Sequence, residues 1–314
     1  MPQSQVVQFA DPAQFRAAVR AADGELLVTG RGEFQSEVIR IDLNQLWMQR
    51  ISDKLPRIIQ ATNHPGRAAI LFTAHWDQAP VRHSGLAVAP GEIIVLHDGA
   101  SLHHCTEAPC RVAAMSLTLA DLAARCKAII GRELAPAGET HVIRPDAAAM
   151  ARLMALHDKA SRLAMEGSPA LTHPASAKVL EEELVHAMIA CLAGPTTTTN
   201  VVRRHAKIVA RFEEFLESRQ YKPVYLAEIC ATVGVSERTL RTCCQEHLGM
   251  GPIHYLWLRR MHLAHRALLL AEAESTTVTE IATEHGFWEL GRFSVEYRSL
   301  FGETPSASLR RPPH

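Results

Sequence analysis

Apolar positions in the first third of the chain recur at strand spacing. Phe34 to Asp42 alternates in part between apolar and polar residues, and Ala68 to Thr73, Glu92 to Leu96 and Arg111 to Leu117 are short apolar runs set apart by Gly or Pro. Such runs, separated by turn residues, predict several short strands in succession and therefore a sandwich or a barrel. From Leu119 the spacing lengthens to that of a helix. It predicts helices over Ala120 to Ile130, over Asp146 to Glu166 between Pro145 and Gly167, and over Ala175 to Ala193.

Gly194-Pro195 stops the third of these helices, and Thr196 to Asn200 is a polar run without an apolar face, which marks a linker. Beyond it the pattern is helical throughout: Val202 to Ser218, Leu226 to Val233, Glu237 to His247, Ile253 to Ala271, Val278 to His285 and Glu289 to Phe301. The expected fold class is α+β and multidomain. A β-rich front with trailing helices (residues 119–193) fills 1–194, 195–201 connect, and an all-α end fills 202–314.

Within that end one pattern occurs twice, about fifty residues apart. In the first copy Leu226, Ile229, Cys230 and Val233 form one apolar face. Gly234 permits a left-handed exit, Val235 plugs the turn, Ser236 is placed to cap the next helix, and Leu240 and Cys244 face inward. In the second copy Val278, Ile281, Ala282 and His285 take the matching places. Gly286 makes the turn, Phe287 is the plug, and Phe293, Tyr297 and Phe301 supply the inner face. Thr277 and Glu280 have the spacing of a capping box. Two short helices joined through a glycine make a helix-turn-helix, whose second helix is sized for the major groove of B-DNA. Pro252 opens a long helix between the copies that holds them apart.

These residues resemble the AraC/XylS transcription regulators over about Val202 to Arg310. The resemblance is carried by Val278-Thr-Glu-Ile-Ala-Thr-Glu-His-Gly-Phe followed by Phe293, Tyr297, Phe301-Gly302 and Thr304-Pro305-Ser306, and by Leu226-Ala227 through Gly234-Val235-Ser236 to Leu248-Gly249. It implies two recognition helices entering major-groove segments about one turn (~10 bp) apart. The DNA-binding set it implies is Ser236, Arg238, Thr239, Arg241, Thr242 and Gln245 in the first unit, and Leu290, Gly291, Arg292, Ser294, Val295 and Arg298 in the second, with Arg238, Arg241 and Thr242, and Leu290, Gly291, Arg292, Ser294 and Val295, at the base-facing positions. Arginine can bond guanine O6 and N7 bidentately. The second helix offers fewer polar readers, so it is expected to anchor on phosphate and touch thymine methyls. Cys243 stands where the family often carries a basic residue, which suggests a missing phosphate contact, and Trp288 is expected to pack at the turn. The resemblance also implies double-stranded DNA and RNA polymerase as partners, a homodimer, and an activator.

Charge changes this picture little. The chain balances at zero net charge, and from Val201 onward 15 Lys and Arg face 13 Glu and no Asp. Local groups must therefore supply phosphate contacts, with Arg203, Arg204, Lys207, Arg259, Arg260, Arg310 and Arg311 available. Seven cysteines without a Cys-x-x-Cys pair fit a reduced compartment. No apolar run approaches a membrane span and Met1 to Ala10 is not a leader, so the expectation is a cytoplasmic protein without membrane contact.

The β-rich front, with Pro90-Gly91-Glu92 before Ile93 to Leu96, resembles the cupin-like barrels that often precede this DNA-binding domain, and so implies a domain that senses a small molecule or makes a dimer, with Ala120 to Ala193 as the dimerisation helices. Its effector is not readable. Trp47, Phe72, Trp76, His83 and Met115 are the candidates for an effector pocket. His75, His83, His97, His103 and His104 lie in this region without the spacing of the cupin metal signature, so neither metal nor cofactor is expected. No nucleophile elbow or phosphate loop is present, and no catalytic residue is assigned. Two other readings stay open: a cupin-type metal-dependent enzyme fused to a DNA-binding domain, and a front domain that only dimerises.

Overall fold

The computed structural model describes residues 2–20, 24–99, 101–132, 140–197, 200–219, 224–272 and 274–311. The chain divides into two compact units, Met1–Leu26 with Gln35–Thr199, and Leu27–Phe34 with Asn200–His314.

The first unit is built on two antiparallel sheets. One has the order β1 (Gln3–Phe9), β3 (Ser36–Asp42), β4 (Trp47–Asp53), β11 (Cys110–Thr118), β6 (Arg67–Thr73), β9 (Ile93–Leu96), β12 (His141–Ile143) and β13 (Thr196–Thr197). The other has the order β2 (Gly24–Val28, of which Leu27 and Val28 are counted with the second unit), β5 (Arg57–Thr62), β10 (Ser101–Cys105), β7 (Val81–His83) and β8 (Leu86–Val88). Neither sheet closes on itself among the described residues. Four helices accompany them: α1 (Pro12–Ala18), α2 (Leu119–Ile130), α3 (Ala147–Met165) and α4 (Pro174–Leu192).

Strand periodicity sorts the side chains of the larger sheet between two cores, because neighbours on a strand point to opposite faces. Met48, Ile70, Phe72, Ile93, Ala113 and Met115 pack with Met150, Leu153, Leu184 and Met188 of α3 and α4. Their strand neighbours Ala69, Ile94 and Leu96 belong to a different cluster with Val81, Val88 and Val142. The sheet is thus covered on both faces, which is why its strands read as short apolar runs rather than as clean alternation. Asp146 caps α3 by accepting from Ala148 N at 2.9 Å, and Pro174 opens α4. Buried Glu181 of α4 fixes the β3–β4 turn by accepting from the Asn44 and Gln45 amides at 2.8 and 3.0 Å. The polar run predicted as linker pairs in part with β12, Val142 with Thr197 and Ile143 with Thr196.

The second unit is helical: α5 (Asn200–Glu217), α6 (Leu226–Val233), α7 (Glu237–Leu248), α8 (Pro252–Leu270), α9 (Val278–Glu284), α10 (Leu290–Phe301) and α11 (Pro305–Leu309). Residues Leu27–Phe34 belong with it, and there the Val28 carbonyl meets the His262 imidazole at 2.9 Å. Helix α8 is the spine. Helices α6 and α7 pack with α5, and α7 also with the spine, whereas α9 and α11 pack on the spine and α10 packs on those two. No helix among the described residues is long and apolar enough to cross a membrane.

Candidate nucleic-acid interface

The first helix pair is closed from inside by Ile229, Val233, Leu240, Cys243, Cys244 and Leu248, all buried. Helix α6 ends at Gly234 with φ +75°, a left-handed conformation that glycine adopts without a Cβ penalty. Ser236 then caps α7, its hydroxyl accepting from Thr239 N at 3.2 Å. This local geometry fixes the outward face of α7. Ser236, Arg238, Arg241, Thr242 and Gln245 are exposed there, and Thr239 is half-buried beside the cap. Arg241 is held by Glu237 at 2.8 Å one turn back, whereas Arg238 has no ion pair among the described residues.

The second pair repeats the device. Thr277 and Glu280 form a reciprocal capping box at the start of α9, and Gly286 turns the chain at φ +80°. Phe287 stacks against Phe293 with ring centroids 4.9 Å apart. Phe293, Tyr297 and Leu300 are buried. The Tyr297 hydroxyl bridges His265 of α8 at 2.5 Å and Ser308 of α11 at 2.7 Å, and burial pushes its pKa upward. Gly291, Arg292, Ser294, Val295 and Arg298 are exposed on α10, and Leu290 is half-buried.

Arg292 is oriented by Glu296, which accepts from Arg292 Nε at 2.8 Å and from Trp257 Nε1 of α8 at 2.9 Å. The hydrogen bond from Arg292 to Glu296 and the charge of that carboxylate hold the guanidinium's pKa above its usual value. The side chain therefore leaves α10 in a set direction, tied to the spine through one carboxylate.

Two expectations are corrected here, for Trp288 and for Arg259. Trp288 does not pack at the turn: it is 74% exposed, because Phe287 alone occupies the plug. Cys243 is fully buried on the inner face of α7. Arg259 is buried, because α8 is enclosed by packed helices over much of its circumference, and is no surface cation. Lys207, Arg310 and Arg311 are exposed, and the side chains of Arg203 and Arg204 lie outside those described. Sequence reasoning missed the exposure of Trp288, whereas it set Val295, 71% exposed, on the outward face of α10. The signal for Val295 is its spacing, since it falls between the inner positions Phe293 and Tyr297 and must point away from them.

The proposed effector residues do not share one chamber. Trp47 lines a cavity between the two sheets, and Met115 borders it while its side chain packs in the helix-covered core. Phe72 lies on the helix-covered face and meets His157 edge-on at 5.5 Å. Trp76 is half-exposed with its ring over Gly91, where a Cβ would come within 2.8 Å of it. His83 is fully buried behind the cavity wall against His104, with ring centroids 4.5 Å apart. The reason is strand parity: adjacent positions point to opposite faces, and aromatic content alone does not reveal which.

Two helix pairs of this geometry on one helical spine define a double helix-turn-helix DNA-binding module. A helix-turn-helix domain family matches residues 229–311. Over 106 residues the chain is 41% identical to a probable thc operon regulatory protein of Rhodococcus erythropolis, covering 34% of this chain and 32% of that one. Over 101 residues it is 35% identical to XylDLEGF operon transcriptional activator 1 of Pseudomonas putida, covering 32% and 30%. The crystal structure of a probable AraC family transcriptional regulator from Rhodopseudomonas palustris CGA009 matches at 32% identity with a TM-score of 0.31, covering 34% of this chain and 98% of that one. The C-terminal part of this chain is an AraC-family helix-turn-helix domain. The match spans about a third of the length of these curated relatives.

Proposed function

We propose that the protein is a sequence-specific transcription regulator that binds double-stranded DNA through α7 and α10. The observation that carries this is the pairing, within one chain, of two glycine-turned helix pairs whose second helices leave Arg238, Arg241 and Thr242, and Arg292, Ser294 and Val295, in solvent. An arginine and a threonine on a groove-sized helix suit base edges and phosphates, and the two units together suit a site longer than one turn. Arg238 is the principal base reader in this reading. The regulatory sign follows the curated relatives named as activators, with RNA polymerase as the protein partner.

The two-sheet unit is the sensor in this proposal. We read it as a cupin-like unit around the cavity between its two sheets, with α2, α3 and α4 as the helices through which two copies pair. Among the described residues no cluster of His, Cys, Asp or Glu has the form of a metal site. The test is titration of the full chain onto labelled DNA from the intergenic region beside its own gene, with competitor DNA and at two salt concentrations. Saturable binding that survives competitor and protects about two helical turns (~20 bp) supports the proposal. Binding that competitor abolishes at both salts refutes sequence specificity on that DNA.

A further inference from the structure

Between the sheets of the first unit lies a cavity of about 110 Å³. Ile51, Ile59, Leu71, Leu96, Val112 and the Trp47 ring are among its apolar walls. Gln49, Arg57 and His104 also line it, and they are 5%, 1% and 5% exposed. Each has one side committed to the protein. Gln49 Oε1 accepts from Arg20 N at 3.3 Å, which points its amide group the other way. Arg57 Nε donates to Asp53 Oδ2 at 2.5 Å. His104 Nδ1 lies 3.3 Å from the His83 ring. The other side of each is unmatched: Gln49 Nε2, Arg57 Nη1 and His104 Nε2 have no hydrogen-bond partner among the described residues.

Buried polar atoms are almost always paired, so three unmatched nitrogens on one apolar chamber call for an occupant that brings acceptors. The amide and the guanidinium can only donate through these atoms. Charge narrows the choice further. Among the described residues Arg20 and Arg57 line the cavity and no carboxylate does, since their partners Asp42 and Asp53 are outside its lining. Arg40 and Arg67 are disfavoured as cations first by burial and then by the charge of Arg20, with Asp42 opposing both. Size sets the rest, because the volume is of the order of the roughly 150 Å³ apolar cavity that accepts benzene.

We propose that this cavity binds a small apolar monocarboxylate, about one ring in size, whose oxygens accept from Gln49 and Arg57 while its hydrocarbon body lies against the Ile, Leu and Val walls. The proposal rests on the reading of the first unit as a sensor and names the ligand class of that sensor. A second, larger groove lined by Arg50, Lys54, Asp77, Arg111, Asp158 and Arg162 is open and has a charged rim, and so does not suit such a molecule.

The test is thermal shift and calorimetry on the full chain with benzoate and cyclohexanecarboxylate against their neutral amides, which match in shape. The acids are expected to raise the unfolding temperature in proportion to log concentration and to bind about ten- to hundredfold more tightly than the amides, the worth of hydrogen bonds to a charged group. Gln49→Leu is expected to weaken the acids at least tenfold. Because Arg57→Met would strand buried Asp53 and risk the fold, Ala114→Leu serves as the second variant, filling the cavity from β11 and abolishing the shift. Equal binding of acid and amide that Ala114→Leu removes would overturn the carboxylate class and leave the sensor reading intact. An acid shift that survives Ala114→Leu would overturn the site. No shift from any of the four probes at millimolar concentration would overturn the class and the use of this cavity as a sensor together.

Discussion

Arg238→Ala separates base reading from mere attraction to phosphate. The side chain is exposed on α7 and has no ion pair among the described residues, while its backbone carbonyl accepts from Thr242 Oγ1 at 3.0 Å irrespective of the side chain. Truncation therefore removes no intramolecular contact of note, and alanine is at least as good a helix former as arginine. Folding stability is expected to stay within about 0.5 kcal/mol, as for ordinary surface substitutions. Binding to the preferred site should lose about 1 to 3 kcal/mol if Arg238 makes a bidentate guanine contact, roughly 5- to 150-fold in Kd. Fluorescence titration against a panel of single-base variants of the site, at several salt concentrations, reads both quantities. A base contact predicts that the loss is concentrated at one base pair, whose variants the mutant no longer distinguishes, with the salt slope nearly unchanged. A uniform loss across the panel, with the slope of log K against log salt smaller by about 0.9, would make Arg238 a phosphate contact. No change in either quantity would refute the placement of α7 in the groove.

Trp288→Ala is expected to weaken DNA binding severalfold without lowering the unfolding temperature, because the ring is 74% exposed; a drop in stability would show that it packs after all. Tyr297→Phe should do the reverse. It strips the hydroxyl shared by His265 and Ser308 from the core, costing about 1 to 3 kcal/mol, with the loss of unfolding temperature read in the helical unit by calorimetry. Acid sensitivity follows from two buried histidines of the first unit, His83 with its pKa pushed down to about 3 and His157 to about 4, in both cases chiefly by burial. Their folded pKa values lie below the unfolded value of about 6.5, so the unfolded chain takes up protons first, and stability is full above that value and is lost as pH falls toward 4. At pH 5 each should have removed about 2 kcal/mol. Denaturant unfolding between pH 7 and 4.5 checks this, and a flat profile would show that the imidazoles are not excluded from water.

The helical unit could be read from the chain because its determinants are local. Apolar spacing placed α6, α7, α8, α9 and α10 within a residue or two of their observed limits, and Gly234, Ser236, Thr277 and Gly286 set turns and caps that depend on neighbours in sequence. The sheets are different. Strands β4, β5 and β10 carry Arg57, Asp53, His103 and His104, polar residues that are buried and that no periodicity rule places inside. Arg57 is tolerated because Asp53, four residues away across a turn, neutralises it, and Ser36 donates to the other Asp53 oxygen at 2.6 Å. That compensation is made through tertiary contact, so the chain signals it only as a charged pair flanking Pro56. The same holds for the cavity. Gln49 reads as a surface residue until its oxygen is seen to be held by the Arg20 amide.

The two recognition helices also divide their work by how their polar groups are spent. On α7 one of two arginines is engaged by Glu237 and the other has no ion pair among the described residues, so in the proposed binding mode at least one guanidinium can enter the groove without breaking an ion pair. On α10 Arg292 enters only with Glu296 beside it, and that carboxylate is itself held by Trp257 of the spine. A carboxylate so close to the groove opposes phosphate and cancels part of the guanidinium's attraction, whereas the exposed Trp288 and Val295 offer contacts that salt does not screen. Binding through α10 therefore depends less on salt and distinguishes bases less sharply than binding through α7. A site read by this chain is then expected to be stringent in the half that meets α7 and permissive, richer in thymine methyls, in the half that meets α10.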